Sequence, residues 1–150
     1  MTWRTYNPAA GTAYHSKTRT RAAAKCRPYP LECAEQQALF EWAAWSENKY
    51  PDLKWLAAIP NGGYRTPVEA ARFKGEGVRA GFPDMILPVA RHGYHALAIE
   101  LKRRKGAGST VSDGQKAWIA YLTAQGWRAV VCYGADEAIR EIENYLRGAG

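Results

Sequence analysis

Two acids and one lysine lie on neighbouring apolar segments near the middle of the chain. Asp84 precedes the apolar residues 85–87, and Glu100 and Lys102 end an apolar run that begins at Ala96. Side chains alternate between the two faces of a strand, so Glu100 and Lys102 are expected on one face. If the two runs pair as an antiparallel hairpin, Asp84 can approach Glu100. The sequence therefore predicts a pocket with two carboxylates and one ammonium.

The expected pocket has the chemistry of a divalent cation site. Two carboxylates held together repel each other, and either protonating one of them or binding a cation between them removes the repulsion. Carboxylate oxygens suit Mg²⁺ or Mn²⁺. The alternative is a surface aspartate in a turn and a salt-bridged strand edge. The bend expected at Gly81-Phe82-Pro83, together with the apolar surroundings of both acids, favours the metal site.

Two predicted helices direct a polar side chain towards the same core. Glu35 falls on the apolar stripe of a helix expected in residues 31–49, and Gln115 falls on the stripe of a helix that ends near residue 125. A buried carboxylate is costly unless it is paired, so Glu35 either meets a buried base or faces a metal. An inward glutamine is usually a hydrogen-bonding core residue, but two such helices suggest a common pocket. Glu32 is interpreted only as a favourable charge at a helix N-terminus.

The remaining segments predict an α/β domain. Apolar periodicity and Gly or Pro positions predict a strand at 53–59, a short helix at 67–77, a last strand at 127–133 and a final helix at 135–146. This order of elements is typical of a mixed sheet flanked by helices. We expect an irregular or partly helical arm in residues 1–30 and a folded domain in residues 31–150.

The positive charge of the chain is concentrated in the N-terminal arm. Residues 1–31 contain six basic and no acidic side chains, so they carry +6 of the net charge of +7. A basic arm with aromatic residues favours binding to a polyanion, although a solubilising tail explains its composition equally well. A second cationic segment, residues 103–109, follows the predicted acids and can hold phosphate oxygens. The predicted DNA-binding residues are Arg19, Arg21, Lys25, Arg27, Arg103, Arg104 and Lys105.

Composition excludes several other classes of protein. No apolar stretch approaches the ~18 residues of a membrane span, and the N-terminus lacks the apolar segment of a signal peptide. Three cysteines without CxxC spacing argue against a disulfide framework and a zinc site. The cationic segment lacks the spacing of a phosphate-binding Walker loop. We expect a cytoplasmic protein with reduced thiols and no small-molecule cofactor.

Taken in order, the motifs resemble those of a nuclease superfamily. An acid on the first helix, GFPD at 81–84, IELK at 99–102 and a helix that begins with SDGQ at 112–115 occur at the separations found in PD-(D/E)xK nucleases. Within that superfamily the chain most resembles the VRR-NUC family, notably its small stand-alone phage-type members. The resemblance covers about residues 32–145 and implies a restriction-endonuclease-like core.

The resemblance also implies a role for each motif residue. The two strand acids and the carbonyl of Leu101 would bind the metal, and the first-helix acid would contact the metal or its water. The lysine would orient or activate the nucleophilic water, and the glutamine would complete the pocket. The implied catalytic residues are Glu35, Asp84, Glu100, Lys102 and Gln115. The implied ligands of Mg²⁺ or Mn²⁺ are Glu35, Asp84, Glu100 and the backbone carbonyl of Leu101.

The implied activity is that of a homodimeric, structure-specific DNA endonuclease. Such an enzyme would hydrolyse phosphodiester bonds in branched DNA such as four-way junctions, with a divalent metal. Two alternatives remain, namely an inactive nuclease fold that only binds nucleic acid, and a hydrolase that acts on another substrate. The intact residues Asp84, Glu100 and Lys102 disfavour the first alternative, and the basic arm disfavours the second.

Overall fold

A computed structural model describes residues 31–60 and 66–148 of the chain. The predicted arm, with Arg19, Arg21, Lys25 and Arg27, lies outside the described residues. The helices are α1 (Glu32–Ser46), α2 (Pro67–Gly75), α3 (Asp113–Ala124) and α4 (Ala135–Arg147), and a 3₁₀ helix spans Pro51–Trp55. The strands are β1 (Ala57–Ala58), β2 (Met85–Leu87), β3 (Leu97–Lys102) and β4 (Arg128–Tyr133).

The strands form one mixed sheet in the order β1-β2-β3-β4. Strand β2 pairs antiparallel with β1 and with β3, and Met85 lies opposite Ile99. Strand β3 pairs parallel with β4 from Leu97 opposite Arg128 to Lys102 opposite Tyr133. Parallel neighbours require a crossover connection, and α3 lies within it. As a result β3 has a partner on both sides, and all of its residues are buried.

The hydrophobic core lies on the face of the sheet that α1 and α4 cover. Leu97, Ile99 and Leu101 of β3 point into it and pack in one cluster with Leu39 of α1 and Ile142 of α4. Because side chains alternate along a strand, the even-numbered residues of β3 face the opposite side, where α3 lies. The observed architecture confirms the predicted α/β class with a mixed sheet and flanking helices.

The prediction of a strand over residues 53–59 was wrong in its first half. The chain instead forms a 3₁₀ helix, in which the Leu53 N–H donates to the Tyr50 carbonyl at 3.0 Å and the Leu56 N–H donates to the Leu53 carbonyl at 2.9 Å. Leu53 and Leu56 are buried and stand three positions apart, which is the period of a 3₁₀ helix and not the period of a strand. Only Ala57–Ala58 joins the sheet.

None of the helices in residues 31–60 and 66–148 is long and apolar enough to cross a membrane. The two described cysteines, Cys33 and Cys132, are free thiols, and Cys26 lies outside the described residues.

Candidate active site

Strand β3 places Glu100 and Lys102 on the face opposite the core. Glu100 is 1% exposed and Lys102 is 6% exposed. The Lys102 ammonium donates a hydrogen bond from Nζ to Oε1 of Glu100 at 2.6 Å. Their mutual attraction offsets part of the free energy needed to remove both charges from water. The two residues therefore form a buried ion pair in the middle of the sheet.

Asp84 lies beside this ion pair, at the end of the β2 and β3 hairpin. Its Oδ2 accepts a hydrogen bond from the Leu101 backbone N–H at 2.9 Å. Its backbone carbonyl accepts a hydrogen bond from the Ile59 N–H at 2.7 Å. Strand β2 begins at Met85, and just before it the Asp84 side chain, in place of a backbone carbonyl, accepts the hydrogen bond of β3. The structure brings Asp84, Glu100 and Lys102 together, as the hairpin pattern predicted.

Gln115 reaches the same carboxylate from the first turn of α3. Its Nε2 donates a hydrogen bond to Oε1 of Glu100. Its Oε1 accepts a hydrogen bond from the Ser112 N–H at 2.8 Å, and the Ser112 hydroxyl accepts one from the Gln115 N–H at 3.3 Å. This reciprocal pattern is a capping box, which fixes the start of the helix. The cap of α3 therefore also orients the side chain that contacts Glu100.

Gly81 lets the segment before Asp84 lie directly against α3. Its φ angle is +82°, and a Cβ at this position would lie 2.8 Å from the Gly114 carbonyl carbon and 3.0 Å from the Gln115 nitrogen. A side chain would clash with backbone that has no freedom to move away. The glycine of the GFPD motif thus sets the separation between Asp84 and Gln115.

Burial and neighbouring charges change the ionisation of the central pair. The pKa of Glu100 is raised to about 7, because burial, helped by the negative charge of Asp84, outweighs the opposing effect of the Lys102 hydrogen bond and charge. Burial on its own lowers the pKa of Lys102, but the hydrogen bond to Glu100 and the negative charges of Glu100, Glu32 and Asp84 outweigh burial and raise it. Lys102 is therefore a charged ammonium at neutral pH.

Glu32 is a candidate site residue that the sequence pattern did not identify. Burial raises its pKa, Lys102 and Arg103 lower it and Asp84 raises it, so its carboxylate interacts electrostatically with these charged groups. Glu32 precedes Glu35 by three positions, and residues at this spacing lie on the same side of a helix. The three-residue spacing from Glu35 was the sequence feature that could have identified Glu32. Glu32 is therefore the acid of α1 that interacts electrostatically with the charged groups of the pocket.

Glu35 binds groups other than the metal pocket that the resemblance implied. It is 2% exposed, its Oε1 accepts from Arg104 Nε at 2.8 Å and its Oε2 accepts from the Ala135 N–H at 2.9 Å. Of the two interpretations of an inward Glu35, pairing with a base is the one observed. The structure does not bring Glu35 to Asp84 and Glu100, because one helical turn beyond Glu32 the side chain meets the start of α4.

The three basic residues that follow β3 lie in different environments. Arg104, predicted to contact DNA, pairs with Glu35 and also places its Nη2 3.0 Å from Oδ2 of Asp136. Lys105 is exposed, and its Nζ lies 5.3 Å from the centre of the Tyr133 ring. Arg103 is half-buried near Glu32. The three basic residues of this segment therefore do not form one uniform phosphate-binding surface.

Comparison with known proteins identifies the family. The model of the VRR-NUC domain matches residues 18–136. The chain belongs to the VRR-NUC family. A solved structure of a VRR-NUC domain protein is 34% identical to this chain and superposes with a TM-score of 0.65, over 77% of this chain and 88% of its own. No curated protein sequence matches.

Membership of the VRR-NUC family has consequences for fold and activity. The family is nuclease-like and of the PD-(D/E)xK type, so the mixed sheet is a restriction-endonuclease-like core and the chain is a nuclease domain that acts on DNA. The matched region starts at residue 18, within the segment that we predicted to be an arm. Nucleases of this type generally use divalent metals.

The donor set of this VRR-NUC domain fits a hard cation that keeps some of its water. In residues 31–60 and 66–148, no group of three or more His, Cys, Asp or Glu side chains is arranged to hold a metal ion. Oε2 of Glu100, however, is buried and has no hydrogen-bond partner among these residues. A buried carboxylate oxygen without a partner is costly. Mg²⁺ typically binds one or two carboxylates, with water and substrate phosphate as the other ligands, so Glu100 and Asp84 suit it.

Proposed function

We propose that this protein is a metal-dependent DNA endonuclease. The observation that carries the proposal is the buried Oε2 of Glu100, which lacks a hydrogen-bond partner among the described residues and belongs to a carboxylate beside Asp84. These two carboxylates and the backbone carbonyl of Leu101 would hold Mg²⁺ or Mn²⁺. Glu32, in place of Glu35, would contact the metal or its water.

The neighbouring side chains prepare the pocket for phosphodiester hydrolysis. A bound Mg²⁺ or Mn²⁺ would supply a more acidic water and positive charge on the scissile phosphate. Lys102 orients the attacking water and stabilises negative charge that develops on the phosphate. Gln115 occupies Oε1 of Glu100 and leaves Oε2 for the cation. The Leu101 N–H fixes Oδ2 of Asp84 in the same way.

A cleavage assay with Glu100→Gln tests this function. Purified protein is incubated with duplex, flap and four-way DNA in the presence of Mg²⁺, Mn²⁺ or EDTA. We expect the natural protein to cut only with metal, and we expect Glu100→Gln to lose activity at least about 100-fold while DNA affinity stays within about twofold. Glutamine keeps the size of the side chain and an oxygen that can accept from Lys102, and thermal melting establishes that the variant is folded before it is used.

The matched control is Lys116→Ala, which removes an exposed ammonium that pairs with Asp113 at 2.9 Å on the outer side of α3. Its cleavage rate is expected to equal that of the natural protein. Cleavage in EDTA, or full activity of Glu100→Gln, would contradict the proposal. Tight DNA binding without cleavage under any metal would instead indicate an inactive nucleic-acid-binding module.

We also propose that the substrate is branched DNA, such as a four-way junction, and that the protein acts as a homodimer. Resolving a junction requires cuts on two opposed strands, and a twofold symmetric pair of sites provides them. Trp45 is 89% exposed and Trp55 is 58% exposed, and large aromatic side chains of this kind are enriched at protein interfaces.

Light scattering measures the oligomeric state directly. We expect the mass of a dimer for the natural protein, and we expect Trp45→Ser or Trp55→Ser to shift the equilibrium towards monomer if that residue lies in the interface. The control is Tyr121→Ser, since Tyr121 is exposed on α3. A strict monomer that still cuts both strands of a junction symmetrically would contradict the proposed dimer.

The proposed phosphate contacts come from two segments of the sequence. Arg103 and Lys105 follow β3 directly, and four basic residues precede α1. Contacts to phosphate strengthen binding at low salt without reading the sequence, as expected for a nuclease that recognises DNA shape. The four residues are Arg19, Arg21, Lys25 and Arg27.

A further inference from the structure

The pair formed by Glu35 and Arg104 joins three separate segments of the chain. Glu35 belongs to α1, Arg104 stands two positions after the end of β3, and the Ala135 N–H that binds Glu35 begins α4. Arg104 also pairs with Asp136 in the first turn of α4. One buried carboxylate and one guanidinium therefore hold α1, the segment after β3 and the start of α4 together.

The backbone around this pair is closely fitted to it. Gly134 has φ +84°, and a Cβ there would lie 2.8 Å from Cγ of Arg104 and 3.5 Å from Oε2 of Glu35. The Gly134 N–H donates a hydrogen bond to the Lys102 carbonyl at 2.8 Å. The aliphatic part of Arg104 thus packs on the turn between β4 and α4, and only glycine leaves room for it.

The charges around Arg104 differ from those of a phosphate-binding site. Its guanidinium faces two carboxylates, Glu35 and Asp136. These carry more negative charge than one guanidinium neutralises. Glu35 also lies at the N-terminus of α4, where the N-cap Gly134 has no side chain and a carboxylate is stabilised by the helix dipole. The positive charge of Arg104 is therefore neutralised by carboxylates of the protein itself.

We infer that the Glu35 and Arg104 pair fixes the relative positions of the segments that carry the site. Glu32 lies one helical turn before Glu35 on α1, and Lys102 lies two positions before Arg104. A pair that ties these segments together sets the distance between Glu32 and the ion pair of β3. Glu35 and Arg104 are then positioning residues of the hydrolysis, and Arg104 is not a phosphate contact. The catalytic part of this inference rests on the proposed function.

Three variants of the full chain test the inference. Arg104→Ala removes the pair, Arg104→Lys restores one charged contact, and Lys105→Ala is the matched control because it removes the neighbouring cation from the same segment. Arg104 is about half exposed, so its replacement spares the core, and thermal melting establishes that each variant is folded before it is used.

Amide hydrogen exchange without DNA or metal measures the positioning directly. We expect Arg104→Ala to increase exchange at least about tenfold in residues 32–36 and in residues 103–109, because both segments lose their common anchor. Arg104→Lys should lie between Arg104→Ala and the natural protein. Lys105→Ala should leave residues 32–36 at the natural rate. Unchanged exchange of residues 32–36 in Arg104→Ala would overturn the inference, and this measurement does not depend on nuclease activity.

DNA binding and cleavage separate positioning from phosphate contact. Lys105→Ala is expected to reduce the slope of log affinity against log salt by about 0.9, the effect of one lost phosphate contact, whereas Arg104→Ala should leave the slope unchanged. Arg104→Ala should lower kcat about 10- to 100-fold at constant KM, and Arg104→Lys should recover most of that loss. A reduced salt slope with natural kcat in Arg104→Ala would identify a phosphate contact and overturn the inference. If the natural protein cuts no DNA, the proposed function fails, and hydrogen exchange still decides whether the pair positions α1.

Discussion

The carboxylates of Glu100 and Glu35 differ in how many of their oxygens accept a hydrogen bond. Glu100 uses Oε1 for Lys102 and Gln115, whereas its Oε2 has no partner within the described part of the chain. Glu35, by contrast, uses both oxygens, one for Arg104 and one for the Ala135 N–H. An oxygen that already accepts a strong hydrogen bond gains less from a cation, so Glu100 suits a metal and Glu35 suits a structural role.

The variants Glu32→Gln and Glu35→Gln should separate these roles. Glu32→Gln is expected to weaken Mn²⁺ binding about tenfold and to change the free energy of unfolding by less than about 0.5 kcal/mol. Glu35→Gln is expected to lower the free energy of unfolding by about 1–3 kcal/mol, because Arg104 and the start of α4 lose a buried charged acceptor. Titration calorimetry with Mn²⁺ and urea unfolding measure the two quantities. The reverse pattern would return Glu35 to the metal ligands.

The sequence predicted the contacts of the strand residues of the site better than those of the first helix. Along β3 the side of the sheet follows from the alternation of residues, so Glu100 and Lys102 were placed together correctly. On α1 the apolar stripe shows only that Glu35 is buried. It does not show which group Glu35 meets, because Arg104 and α4 approach it from distant parts of the chain. Choosing between Glu32 and Glu35 therefore required the tertiary structure.

At the scale of elements, the site depends on the close packing of the GFPD segment, residues 81–84, against α3. Asp84 belongs to the hairpin and Gln115 belongs to the helix, and Gly81 is the point where the two backbones touch. Hydrogen bonds from both elements, Leu101 N–H to Asp84 and Gln115 to Glu100, are aligned only while this contact is kept. The geometry of the site is therefore a property of the packing of α3 against the hairpin.

Gly81→Ala tests this packing, with Gly93→Ala as its control. Gly93 has φ +85°, close to the +82° of Gly81, but a Cβ at position 93 meets no atom within 4 Å. Both variants carry the backbone strain, and only Gly81→Ala adds a clash with α3. Urea unfolding should show Gly81→Ala to be less stable than Gly93→Ala by about 1–3 kcal/mol, and its cleavage activity should fall as well. Equal losses of stability would mean that the contact with α3 contributes nothing.

Secondary structure was predictable where the apolar period was long enough to read. The four helices and the strands β2, β3 and β4 lie where periodicity and Gly or Pro positions placed them. The 3₁₀ helix at Pro51–Trp55 was not foreseen, since two buried leucines are too few to distinguish a period of three from a period of two. The parallel pairing of β3 with β4 does not follow from the apolar pattern either, because short strands do not encode their neighbours.

The whole molecule buries its core between the sheet and the helices α1 and α4. Cys132 of β4 lies in this core and is 2% exposed. Burial, together with the negative charges of Glu141 and Glu137, raises the pKa of its thiol to about 12. Because the thiolate is the reactive form, Cys132 should be inert as long as the core stays closed.

Thiol labelling of Cys132 should therefore report the opening of the whole domain. In a chain with Cys26→Ser and Cys33→Ser, Cys132 is the remaining thiol. At pH 8 we expect its reaction with a disulfide reagent to be at least about 1000-fold slower in the native protein than in urea, and to accelerate in parallel with global unfolding. Rapid labelling of the native protein would show that β4 separates from β3 without loss of the rest of the fold.

Because β3 lies in the middle of the sheet, it restricts where residues can be inserted into this chain or deleted from it. Deleting one residue within Leu97–Lys102 would exchange the two sides of the strand, so that a carboxylate would face Leu39 and Ile142 while a leucine would take its place in the pocket. Insertions and deletions are therefore better tolerated in the connections on either side of β3, such as residues 88–95 and 106–111, where they would alter the reach of the domain towards its substrate. Within the strand itself, a single lost codon removes the core and the chemistry together.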